Sequence, residues 1–104
     1  SVQRPTSLEV IMMDAIKKNN LPYRYVGGGQ FLVEGKNPDF IRTDDKKICI
    51  EVGNVYHHTV KYPDWVPNRL KHFEKNGWKC ICIITDYLSE HKILKILKNE
   101  NALT

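Results

Sequence analysis

The side chains best equipped for chemistry lie in residues 37–58, NPDFIRTDDKKICIEVGNVYHH. Asp39 and Glu51 are carboxylates, and His57 and His58 follow Glu51 closely. Carboxylate oxygens suit Mg²⁺, which takes one or two protein carboxylates and leaves its other positions to water and to phosphate oxygens of a substrate. Histidine exchanges a proton readily near neutral pH, so either His57 or His58 is a candidate acid or base beside such an ion. Glu51 interrupts the apolar run Ile48, Cys49, Ile50, Val52, and a carboxylate there costs free energy unless something makes use of it. Plainer readings stand beside these. Pro-Asp is a common strand entry, a strand Glu commonly faces solvent, and adjacent histidines in an extended segment point to opposite faces.

The elements that must position these groups follow from the pattern around them. Two apolar runs, residues 39–43 and 48–52, flank the polar cluster Thr43, Asp44, Asp45, Lys46, Lys47, which predicts a hairpin. Asp39 opens the first strand and Glu51 lies near the end of the second, so antiparallel pairing brings the carboxylates to one end of the hairpin.

Residues 6–19 predict a helix with Leu8, Ile11, Met12, Ala15 and Ile16 on one face and Lys17 and Lys18 at its end. Glu9 has two readings. Thr6-x-x-Glu9 fits a capping box, which is the favoured reading, and the alternative is a third carboxylate aimed at the Asp39/Glu51 pair. The two roles are expected to exclude each other, because a side chain closing a cap is not free to reach a metal. Gly27, Gly28 and Gly29 lack a following GK[ST], so they predict a turn between two strands, the second formed by Phe31, Leu32 and Val33.

Asp64 is the predicted N-cap of a second helix ending at Asn76 before Gly77. Its buried stripe is Val66, Leu70 and Phe73, leaving Arg69, Lys71, His72 and Lys75 outside or at the margins, where they are solvated or touch phosphates. Residues 78–85, WKCICIIT, predict a strand covered on both faces, and Ser89 caps a last helix bearing Ile93, Leu94, Ile96 and Leu97. The order helix, strand, strand, strand, helix, strand, helix, with a crossover joining parallel strands, makes a small α/β sandwich with a mixed sheet.

A chain of 104 residues forms one domain, 1–104, and its start at Ser1 without Met predicts a processed protein or one cut from a longer chain. No apolar run approaches the roughly 18 to 20 residues that span a bilayer, and no signal peptide is legible, so the expectation is a cytoplasmic or nucleoid-associated chain without a membrane partner. Sixteen Lys and Arg against twelve Asp and Glu give a net charge of +4. If the acids gather at a metal site, the remaining surface is more basic than that total, which favours phosphate backbones. Three cysteines without CxxC spacing, Cys49, Cys80 and Cys82, read as buried free thiols.

In this order, the elements and their motifs resemble the PD-(D/E)XK nuclease superfamily, and within it the very-short-patch-repair endonucleases and similar homing endonucleases. The likeness rests on Ser7-Leu8-Glu9 before an amphipathic helix and Leu21-Pro22-Tyr23-Arg24-Tyr25, and on Asn37-Pro38-Asp39-Phe40. It rests further on a strand ending in Gly53 that runs on to Tyr56-His57-His58, and on Lys75-Asn76-Gly77-Trp78-Lys79. It covers nearly the whole chain. The superfamily's lysine, two residues past the acid, falls at Gly53, so the resemblance requires a histidine to fill that role. The structural zinc of the repair enzymes is not expected, since Asn54 stands where a ligand belongs and the cysteines lie elsewhere.

The resemblance implies a restriction-endonuclease-like three-layer core and metal-dependent hydrolysis of double-stranded DNA. Asp39 and Glu51 would hold Mg²⁺, with Mn²⁺ able to substitute. His57, preferred over His58 for its place in the family-like segment, would be the base, Glu9 would orient water or the histidine, and Asp64 is a further acidic candidate. Arg24, Lys61, Arg69, Lys71 and His72 are the candidate DNA contacts. A non-catalytic DNA-binding or interaction module of the same fold is the alternative. So small a domain has little surface for reading bases, which implies a further DNA-binding segment or a dimer partner.

Overall fold

The computed structural model describes residues 4–104. Helix α1 spans Ser7–Asn19, followed by strands β1 (Tyr23–Tyr25), β2 (Phe40–Arg42) and β3 (Ile48–Gly53). A π-helical turn, Tyr56–Lys61, leads into α2 (Trp65–Lys75), β4 (Lys79–Ile84) and α3 (Glu90–Asn99). The strands form one four-stranded sheet in the order β1-β2-β3-β4. The first pairings are antiparallel and β3 with β4 is parallel, with Glu51 opposite Cys82. This is the mixed α/β sheet flanked by helices that the sequence predicts.

Strand alternation sorts the core into two layers. Phe40, Ile50, Val52, Ile81 and Ile83 pack with Met12 and Ala15 of α1 and Ile93 and Leu97 of α3. Ile41 and Cys49, on the other face, pack with Phe73 of α2. Helices thus cover both faces of the sheet.

Local signals explain most boundaries. The capping box of α1 closes in both directions, with the Glu9 N–H donating to Thr6 Oγ1 at 3.2 Å and the Thr6 N–H to Glu9 Oε1 at 2.8 Å. Asn20 ends that helix in the left-handed region at φ 50. Ser89 Oγ accepts from the Lys92 N–H at 3.2 Å and starts α3.

Four expectations are corrected. Phe31, Leu32 and Val33 form no strand; Val33 bridges to Lys36 around a turn in which Glu34 and Gly35 both have positive φ. The reason is Asn37, whose Nδ2 donates to the carbonyls of Val26 and Phe31 at 2.7 Å and whose Oδ1 accepts from the Gly29 N–H. That side chain satisfies the backbone groups a partner strand would otherwise have to meet. Asp64 occupies the N-cap position of α2 but its side chain makes no capping bond. Within α2, Phe73 is fully buried while Leu70 is 37% exposed. Strand β4 is an edge strand, so Cys80 and Cys82 are half-buried and Cys49 alone of the thiols is buried.

Candidate functional site

The β2–β3 pairing ends at Phe40↔Ile50, and just beyond it the side chains of Asp39 and Glu51 link the two segments. The Val52 N–H donates to Asp39 Oδ2 at 2.9 Å, and the Asp39 N–H donates to Glu51 Oε1 at 3.2 Å. Each carboxylate is thereby fixed by the other's strand. Glu51 lies at the carboxyl end of β3 beside the parallel β4, the end at which open α/β sheets form ligand crevices.

Glu9 reaches the same place while closing its cap. Its carboxylate lines a cleft of about 400 Å³ together with Asp39, Glu51, Asn54, His58, Trp65, Arg69 and Asp86. The cap reading of Glu9 holds, and the same residue also lies at the cleft wall. Oε1 takes the Thr6 N–H and, at 3.4 Å, the Tyr25 hydroxyl, while the side chain as a whole remains at the cleft wall.

Three acids in one partly buried space repel. Burial first, then the negative charge of Glu51, pushes the Asp39 carboxyl up to about 8, against the stabilising N–H of Val52. Burial also raises Glu51, and Arg69 opposes it. Arg69 Nε is ion-paired with Glu51 Oε2, and its Nη2 donates to the Asn37 carbonyl at 3.2 Å. The guanidinium carbon sits 5.1 Å from the centre of the Trp65 ring and 5.8 Å from that of Phe73.

The two histidines part company. Residues 56–61 are π-helical rather than extended, a form that recurs at functional sites. His57 is exposed, outside the cleft, with its ring edge-on to Tyr56. His57, the preferred candidate, thus stands away from the cleft, whereas His58 lines it and packs edge-to-face on Trp65 at 4.4 Å. Its Nδ1 lies 2.9 Å from the Asn54 carbonyl. A carbonyl only accepts, so Nδ1 carries a proton and Nε2 of the neutral ring is left as a proton acceptor. A Cβ at residue 53 would lie 2.5 Å from that Nδ1. The His58 ring thus fills the space of the side chain that Gly53 lacks.

The remaining candidates are dispersed. Asp64 is exposed and lies outside the cleft, and Arg24, Lys61 and Lys71 are exposed. His72 Nε2 is 2.7 Å from the Val33 carbonyl, which fixes the loop rather than leaving the ring free for phosphate. Arg69 faces the acids instead of the outer surface. Its signal was the spacing Trp65, Arg69, Phe73, which puts all three on one stripe of α2. Asp86, which accepts the Val55 N–H at 3.1 Å, follows the end of β4 and was detectable as a carboxylate just past a parallel strand.

Asp39 and Glu51 are the two carboxylates a divalent cation would use here, although among the described residues no set of three or more His, Cys, Asp or Glu converges in ligand geometry. No helix among those residues is long and apolar enough to cross a membrane. Comparisons with protein-family models, curated proteins and solved structures give no match.

Proposed function

We propose that this chain is a metal-dependent endonuclease that hydrolyses phosphodiester bonds of double-stranded DNA, with a catalytic domain like that of homing endonucleases on a restriction-endonuclease-like core. The observation that carries this reading is that Asp39, Glu51, Glu9 and His58 all line one cleft. Asp39 and Glu51 would hold the cation. A divalent cation supplies neutralisation of the charge that develops on the scissile phosphate and makes its phosphorus more electrophilic.

The chain's own residues do the rest. His58 Nε2 takes the proton of the attacking water as its oxygen bonds to phosphorus. The opposite P–O bond breaks and the leaving oxygen takes a proton from solvent. Asn54 holds the imidazole in the tautomer that leaves Nε2 unprotonated. Glu9, fixed by its cap, orients water at the cleft wall. The basic excess of the chain supports a polyanionic substrate.

The ion pair of Arg69 with Glu51 favours a second reading, a DNA-binding module without chemistry, because it neutralises one of the two ligand carboxylates. One assay separates the two. Supercoiled plasmid is incubated with the protein in Mg²⁺, Mn²⁺ or EDTA. Nicking in either cation and none in EDTA supports the nuclease; retention of DNA without nicking in every cation supports the module.

A further inference from the structure

Both oxygens of the Glu51 carboxylate are engaged by the protein itself. Oε1 takes the Asp39 N–H at 3.2 Å and Oε2 takes Arg69 Nε, with the Glu51 side chain 1% and the Arg69 side chain 20% exposed. The guanidinium is also held by the Asn37 carbonyl and lies over the Trp65 and Phe73 rings. Its Nη1 donates to no described residue, while the side chain lines the cleft. A fixed cation therefore stands against the carboxylate that a divalent ion would need, with donors to spare for an anion.

Resting on the metal-dependent reading above, we infer that Arg69 is a positioning residue that exchanges partners. The guanidinium and the divalent cation compete for Glu51, and the guanidinium displaced by the cation binds a phosphate of the substrate. The exchange needs no large movement. Two aromatic faces support the guanidinium while it slides between carboxylate and phosphate, and its planar fork suits either anion. While Arg69 holds Glu51 the site carries less negative charge, so a phosphate meets less repulsion. The consequence is an order of assembly in which cation binding raises affinity for DNA and, by linkage, DNA raises affinity for the cation by the same factor.

The test is Mn²⁺ binding by calorimetry at mildly alkaline pH, for the wild-type chain and Arg69→Gln. It is paired with anisotropy of a labelled DNA duplex in Ca²⁺ and in EDTA. Arg69→Gln is expected to bind Mn²⁺ roughly tenfold more tightly than wild type, while losing most of the gain in DNA affinity that Ca²⁺ gives the wild type. A purely structural arginine predicts weaker Mn²⁺ binding on its removal. Mn²⁺ affinity unchanged or reduced in the variant, where wild type binds the ion, overturns the inference and leaves the metal site standing. Absence of Mn²⁺ binding by wild type and variant alike overturns the metal reading, and the inference with it. Should Arg69→Gln fail to fold, the wild type decides alone, since DNA affinity equal in Ca²⁺ and EDTA also overturns the exchange.

Discussion

The imidazole of His58 occupies the volume that a side chain on Gly53 would fill, with Nδ1 2.5 Å from the position of that missing Cβ. The glycine at the end of β3 and the histidine in the π-helical turn are therefore one packing unit. Gly53→Ala should destabilise the fold by about 1–3 kcal/mol through overpacking. In a His58→Ala background most of that penalty should vanish. Urea unfolding of the two single variants and the double variant measures the coupling, and additive effects would show that the two residues do not share the space.

The divergence of the adjacent histidines gives a second test. His58→Ala should lower DNA cleavage by roughly 10²–10⁴-fold, the ordinary contribution of a positioned general base, while His57→Ala leaves the rate near wild type. Single-turnover cleavage of a plasmid reads both. Equal losses in the two variants would contradict the placement of His58 in the cleft.

Asp39 makes stability depend on pH in an uncommon direction for a carboxylate. Burial and the Glu51 charge raise it from 3.8 to about 8, so between those values the folded chain binds more protons than the unfolded one. Stability contributed by this group is fully present below the lower value and declines as pH rises toward the upper one. Asp44, held near 2 by Arg42, works in the opposite sense only at pH values below the ordinary carboxylate range. The thermal midpoint without added cation should therefore fall as pH is raised from about 5 to about 8, and Asp39→Asn should flatten that slope. A wild-type midpoint that rises over this interval would contradict the assignment.

Glu9 serves cap and cleft together, and its two roles respond to different substitutions. Thr6→Ala should lower stability by about 0.5–2 kcal/mol through the lost cap. Glu9→Gln retains a side-chain carbonyl for the Thr6 N–H but removes the charge from the cleft. It should keep most of the stability and lose cleavage. Thermal unfolding and cleavage rates on both variants separate the roles, and full activity in Glu9→Gln would confine Glu9 to the cap.

Periodicity and caps made much of the architecture legible. The hairpin that sets Asp39 beside Glu51, the parallel crossover and the Thr6/Glu9 box all arise from contacts local in sequence or from short repeats. The sequence did not disclose arrangements governed by distant partners. Phe31 to Val33 look like a strand until Asn37 takes the backbone groups of Val26, Gly29 and Phe31. Arg69 reads as a solvated helix residue until the buried Glu51 draws it inward. His57 and His58 are equivalent by composition. Only the π-helical turn and the vacancy at Gly53 separate them.

The most direct measurement is the rate of plasmid nicking by wild type and by Asp39→Asn at equal concentrations of folded protein, in Mn²⁺ and in EDTA. Asp39→Asn conserves shape and removes the group that can ionise to hold a cation. The account predicts cleavage by wild type in Mn²⁺ alone and none by the variant. Cleavage that survives in EDTA, or in Asp39→Asn, would place the chemistry elsewhere.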